Sequence, residues 1–215
     1  ANYSGLSAGS TDLWVDPLFT DFMAEDFTLQ AGSPLLSAAE DGGQIGAYGA
    51  GGSPQSLTVP LKTTPTTSGS LTQNEEWSGE ITIASTVTVP QNIMLKIDPG
   101  TTIKFADGAK LYINGKLVAV GTQDAPITFT SASATPSAGK WGGIRFNDSS
   151  MDLGIIEWAV VEYAGDGIYC YYASPAIKDC VLRFNSNAGI YLNYSSPAIK
   201  NCVLRSNSNE GIYLS

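Results

Sequence analysis

Histidine is missing from this 215-residue chain. That absence removes the commonest general base and a common nitrogen ligand for metals. Cysteine occurs only three times, without zinc or redox spacing. Cys180 and Cys202 occupy the same place in two successive copies of a repeat, at a separation a disulfide can span. Buried free thiols are the expectation, because a free cysteine behaves as a small core residue. Charge is sparse at 14%, with 11 basic residues against 20 acidic ones and a net charge of −9. Such a balance argues against nucleic acid and against anionic membrane surfaces as partners. No run of 18 apolar residues exists, so no segment is expected to span a membrane as a helix. Ala1-Asn2-Tyr3-Ser4 lacks the basic and apolar regions of a signal peptide, and the chain is expected to be mature or cut from something longer.

Repetition is what the chain has in quantity. Gly167 to Ala188 and Gly189 to Glu210 are two 22-residue copies of one pattern, identical at 16 positions, and a third copy begins at Gly211. Units this short bury their apolar faces only by stacking. Each copy holds three short apolar runs, such as Gly189 to Leu192, Pro197 to Lys200 and Cys202 to Arg205, separated by Asn, Ser, Pro and Gly. Ser195-Ser196-Pro197 and Asn207-Ser208-Asn209 interrupt any window long enough for a helix. Three strands per coil, each repeating about 22 residues on, make an all-β parallel solenoid with a rise of about 4.8 Å per coil.

Alternation assigns inside and outside. Ile168, Ile190 and Ile212 are expected inward with Cys170, Leu192 and Leu214, as are Ile177, Ile199, Cys180, Cys202, Leu182 and Leu204. Tyr169, Tyr191 and Tyr213 then form an outward column, with Lys178 above Lys200 and Arg183 above Arg205. Asn185 with Asn207, and Asn187 with Asn209, recur at a turn where stacked amides can bond from coil to coil.

Upstream the order of parts is unusual. Residues 1–50 lack the period but contain Asp16-Pro17-Leu18-Phe19, then Asp26 to Leu35, then Gly43 to Gly49. This DPLF, DF-L-GSP, IGAY series resembles the closing segment of many secreted right-handed parallel β-helix proteins of the pectate-lyase-like kind. Phe19, Phe27, Leu29 and Tyr48 are apolar enough to cover an end coil. Residues 51–76, punctuated by Pro54, Pro60 and Pro65, read as a Ser/Thr/Pro/Gly linker or surface arm.

Residues 77–142 hold short alternating runs, Ile81–Ile83, Val87–Val89, Met94–Ile97, Thr102–Phe105, Leu111–Ile113 and Lys116–Val120, divided by turns such as Asp98-Pro99-Gly100 and Asn114-Gly115. From Trp77 to Phe146 the series W-SG-ITI, V-V-P, L-I-PGT-IKF, L-I-NG-L-A-GT, APITFTS and W-GI-F resembles the N-terminal cap and first coils of the same family. Residues 143–215 are then expected as regular coils with an open end. An end-like segment therefore precedes a beginning-like one. The expectations are an excerpt across the junction of two β-helix domains, a circular permutation, or head-to-tail assembly in which residues 1–50 of one copy cover Gly211, Ile212, Tyr213 and Leu214 of the next.

For chemistry, the resemblance implies polysaccharide lyases and hydrolases, which use acidic calcium ligands with an Arg or Lys base, or a cluster of Asp. Glu157 and Asp179, one 22-residue step apart, are the candidate acid pair or calcium site, against the plainer reading of solvated residues at a bend. Asp166 and Glu210 read as solubilising charges. Tyr169, Tyr191 and Tyr213, with Tyr172 and Tyr194, form the better candidate surface, a flat row of rings for sugar or a neighbouring protein, or a cover for the wall. Asn2, Asn147 and Asn193 begin N-glycosylation patterns. The expected role is a non-enzymatic extracellular structural module, of fibre or adhesin type, needing no cofactor. The alternative is a carbohydrate-binding or carbohydrate-cleaving β-helix, with calcium as the ion to test.

Overall fold

The computed structural model describes residues 61–147 and 154–215, together with two strands nearer the N-terminus, β1 (Phe19–Asp21) and β2 (Asp26–Leu29). The chain divides into two compact units, Ala1–Thr58 and Val59–Ser215. In the first, β1 and β2 pair antiparallel, Phe19 opposite Leu29 and Asp21 opposite Asp26. The rest of the expected closing segment, Tyr48 included, lies outside the described residues.

The second unit is a right-handed parallel β-solenoid of about six coils. The first coil holds β3 (Gly69–Ser70), β4 (Glu75–Trp77) and β5 (Glu80–Ile83). The second holds β6 (Val87–Val89), β7 (Met94–Ile97) and β8 (Thr102–Phe105), and the third β9 (Leu111–Ile113), β10 (Lys116–Val120) and β11 (Ile127–Ser131). Then come β12 (Ile144–Asn147), β13 (Ile155–Glu157) and β14 (Ala159–Glu162), followed by β15 (Ile168–Tyr171), β16 (Ala176–Lys178) and β17 (Val181–Arg183). The sixth coil is β18 (Ile190–Asn193), β19 (Ala198–Lys200) and β20 (Val203–Arg205), with β21 (Ile212–Leu214) opening another. Every third strand stacks in register, giving a seven-stranded first wall from β3 to β21, a six-stranded second wall from β4 to β19 and a six-stranded third wall from β5 to β20.

The alternating runs expected between Ile81 and Val120 are all strands, and every second residue along them, such as Ile81, Ile83, Leu95, Ile97, Leu117 and Ala119, faces a shared core. Ile168, Cys170, Ile177, Cys180, Leu182, Ile190 and Leu192 are buried as expected. Ile212 and Leu214 are not, being 39% and 72% exposed on β21. The solenoid also reaches back into the stretch read as a linker. β3 and β4 lie there, and Lys62 bridges to Glu75. None of the three cysteines forms a disulfide. A hydrogen bond between the Cys180 and Cys202 thiols, with burial added to it, pushes Cys180 up, and the same hydrogen bond lowers Cys202 to about 6 against the opposing effect of burial.

At most corners of the last three coils the chain is turned by a left-handed residue. Trp158, Asp179 and Asn201 follow the last three strands of the second wall, Tyr163, Phe184 and Ser206 those of the third, and Tyr172 and Tyr194 follow β15 and β18 of the first, all at φ between 47 and 61°. Such a residue reverses the local hand of the backbone and so bends one strand into the next wall. For side chains other than glycine this costs roughly 1–2 kcal/mol each, and closure of the surrounding coils must offset it. Gly143 is required more strictly, at φ 84° and with room for no Cβ, which would stand 2.0 Å from the Asp166 carbonyl oxygen.

Candidate functional site

The outward column of the first wall runs Thr88, Tyr112, Arg145, Tyr169, Tyr191, Tyr213. Strand register alone puts these side chains above one another. Tyr169 and Tyr191 have ring centroids 4.9 Å apart at 29°, and Tyr191 and Tyr213 are 4.8 Å apart at 39°. The Arg145 guanidinium lies 4.8 Å from the Tyr169 centroid. Arg145 also donates from Nε to the Gly142 carbonyl at 3.0 Å and pairs with Asp166 at 3.5 Å. Burial and the neighbouring Tyr191 push the Tyr169 hydroxyl up, against the pull of Arg145.

At the adjoining corner Tyr172 and Tyr194 stack at 4.8 Å and 11°, and Tyr171 packs its edge on Tyr172 at 4.7 Å and 90°. Tyr194 is 70% exposed, the most open tyrosine of the group. An aromatic ring is wider than the coil rise, so rings repeating every coil cannot lie side by side in one plane. They lean and overlap instead, like tiles, each covering part of its neighbour's face. The expected flat row is therefore a ladder whose hydroxyls and ring edges are its open part.

Polar ladders behave in the same way. Asn185 is fully buried, donates from Nδ2 to Asn207 Oδ1 at 2.9 Å and accepts at Oδ1 from the Ala164 amide at 2.9 Å. Asn207 Nδ2 reaches the Leu182 carbonyl at 3.2 Å. Arg183 Nε bonds Glu162 Oε2 at 2.7 Å, and Thr130 donates to the other carboxylate oxygen at 3.1 Å.

The acid pair is not assembled as expected. Register places Glu157 opposite Lys178, because the step between β13 and β16 is 21 residues. Asp179 falls one position further on, at a left-handed corner, and accepts from Asn201 Nδ2 at 3.0 Å. Among the described residues no group of three or more His, Cys, Asp or Glu is placed to share a metal ion. Asp166 is not a solubilising surface charge: it is 6% exposed and bonded to Arg145 and the Ala188 amide.

A further site escaped the sequence reading. Glu75, fully buried in β4, accepts hydrogen bonds from Lys62 Nζ and Trp77 Nε1, each at 2.8 Å, from the Thr66 amide at 2.9 Å, and from the Thr66 hydroxyl. Burial pushes its carboxyl up, but these donors together outweigh burial and hold it below the usual glutamate range. Its role is to fasten residues 62–66 to the first coil. The signal was the Glu75-Glu76-Trp77 sequence at the start of an alternating stretch, masked by its Thr- and Pro-rich surroundings.

Residues 66–152 match a family model described as a pectate-lyase-like beta helix domain. The matched stretch spans the first three coils and β12 and contains the region Trp77 to Phe146 that carried the resemblance. No curated protein and no solved structure matches the chain. No helix among the described residues is long and apolar enough to cross a membrane.

Proposed function

We propose that this chain is a structural module of an extracellular or cell-surface protein, a rigid solenoid that acts through its length and stiffness. One observation supports the reading: outward and corner side chains of the repeat bind their own counterparts one coil away. Asn185 meets Asn207, Asn201 meets Asp179, Tyr169 meets Tyr191 and Tyr172 meets Tyr194. Groups committed to their copies strengthen a wall, whereas reacting groups must converge on one point. In this reading Gly211, Ile212, Tyr213 and Leu214 are covered by further β-structure, supplied head-to-tail by the segment of a neighbour that carries Phe19, Phe27, Leu29 and Tyr48. Repetition of that contact builds a fibre or an adhesin-like array. Electron microscopy of concentrated protein tests it: end-to-end rods that shorten in Leu214→Asp are expected, and dispersed monomers with β21 already protected from hydrogen exchange would sink the neighbour contact.

A second reading, carbohydrate binding, rests on the exposure of Tyr171, Tyr172 and Tyr194. Titrating neutral and acidic polysaccharides with and without calcium separates the two. Binding that disappears in Tyr194→Ala favours the sugar surface. Calcium dependence lost in both Glu157→Gln and Asp179→Asn assigns the ion to those carboxylates.

A further inference from the structure

The tyrosines at the corner after β15 and β18 are arranged for a reaction between themselves. Tyr172 and Tyr194 share a left-handed backbone, φ 48 and 47°, so their Cα–Cβ bonds leave the wall in the same direction. The Tyr172 amide donates to the Asn193 carbonyl at 3.1 Å, which fixes the two corners at coil spacing. The rings are nearly parallel at 11° with centroids 4.8 Å apart, and Tyr171 holds Tyr172 from the side. Both residues are solvent-exposed, at 48% and 70%.

We infer that Tyr172 and Tyr194 are an oxidative cross-linking site, joined by a carbon–carbon bond between their rings when a one-electron oxidant is supplied. Each phenol gives one electron and one proton to the oxidant and becomes a tyrosyl radical. The two unpaired electrons form a bond between a ring carbon ortho to each phenolic oxygen. Each of those carbons then loses its hydrogen as a proton, and each oxygen regains one. The product is a dityrosine lacking two hydrogen atoms in total, and the oxidant has taken up two electrons. Holding the partners one coil apart replaces an encounter between molecules by a step within one molecule, the kind of gain proximity provides. The bond staples the fifth coil to the sixth.

The neighbouring pair, Tyr169 with Tyr191, is a built-in comparison. Its rings are less parallel, at 29°, and Arg145 lies over the Tyr169 ring. Burial also holds the Tyr169 proton more firmly, and that proton must leave on oxidation.

The test is photo-oxidation of dilute full-length chain by a ruthenium polypyridyl complex with persulfate, read by dityrosine fluorescence and by mass spectrometry of peptides. The native chain is expected to give an intramolecular link between residues 172 and 194, at about tenfold the yield of the same chain unfolded in guanidinium. Tyr194→Phe and Tyr172→Phe keep the ring stack and should each abolish the link, while Tyr191→Phe should retain it. Survival of the link in Tyr194→Phe, equal yield from the unfolded chain, or products joining different molecules would overturn the assignment.

Discussion

The first three coils and the last two solve the same geometric problem with different chemistry. Between Lys62 and Ser131 the turns include positive-φ glycines, Gly79, Gly100 and Gly108, and neighbouring coils are tied by unlike partners: Lys62 with Glu75, Lys96 with Glu76, and Lys104 with Glu80. Between Ile168 and Leu214 the left-handed corners are Tyr172, Asp179, Phe184, Tyr194, Asn201 and Ser206, and the ties join similar or identical residues. Early coils therefore relieve most of their backbone strain with glycine, Asn92 at φ 63° being the non-glycine exception, and fix register by complementarity. Late coils accept the strain and fix register by repetition. A self-pairing ladder is extended by copying one unit, whereas each unlike pair has to be built separately. The difference makes the first coil an anchor and the later coils an extensible wall.

The largest effect that follows is at the anchor. Glu75→Ala leaves the Lys62 ammonium, the Thr66 donors and the Trp77 indole without their shared acceptor, and should destabilise the solenoid by about 3–5 kcal/mol, the scale of breaking a buried charged network. Chemical denaturation measures it. The sign with pH follows from the lowered carboxyl: its contribution is complete above the ordinary glutamate range, near pH 4.3, and is lost as pH falls through the lower folded value. Glu75→Gln should therefore flatten the acid limb of the stability profile. An unchanged limb would mean that the anchor is elsewhere.

Next in size is the contrast within the Asn ladder. Asn185 is wholly buried between Ala164 and Asn207, whereas Asn207 is half-buried. Asn185→Ala should cost about 2–3 kcal/mol through orphaned buried partners, and Asn207→Ala markedly less. Equal losses at the two positions in thermal unfolding would show that burial does not set the worth of a ladder member.

Most strands were legible because period-two alternation directly encodes which side of a wall a residue faces, as in Ile81–Ile83 and Leu111–Ile113. The stacking of Tyr169 on Tyr191 was legible because the repeat fixes register. The position of Glu157 was not, since it precedes the strict 22-residue repeat and the step there is 21. Glu75 was hidden because a buried, fully bonded carboxylate and a solvated one look alike in a polar stretch. The left-handed Trp158, Tyr163 and Phe184 could not be foreseen from propensity, because bulky side chains disfavour that region and tertiary closure imposes it. The tilt of the tyrosine ladder depends on ring width against coil rise, a fact about three dimensions rather than residue order.

The smallest effect tests the strain contrast itself, by exchanging residue types between the two regions. Ser206 is exposed at φ 55°, so Ser206→Gly should relieve the left-handed cost, part of which is offset by the greater freedom of glycine in the unfolded chain. A net gain of about 0.5 kcal/mol is expected. Gly100 stands at φ 77° in an early corner, where an added Cβ would meet only Ala125 Cβ at an ordinary 3.6 Å. Gly100→Ser therefore adds strain without a clash and should destabilise by about 1 kcal/mol. Paired urea midpoints for the two variants decide the matter. Opposite shifts are expected if the late coils carry strain that the early coils avoid, and shifts of the same sign would mean that the left-handed corners of the repeat cost nothing.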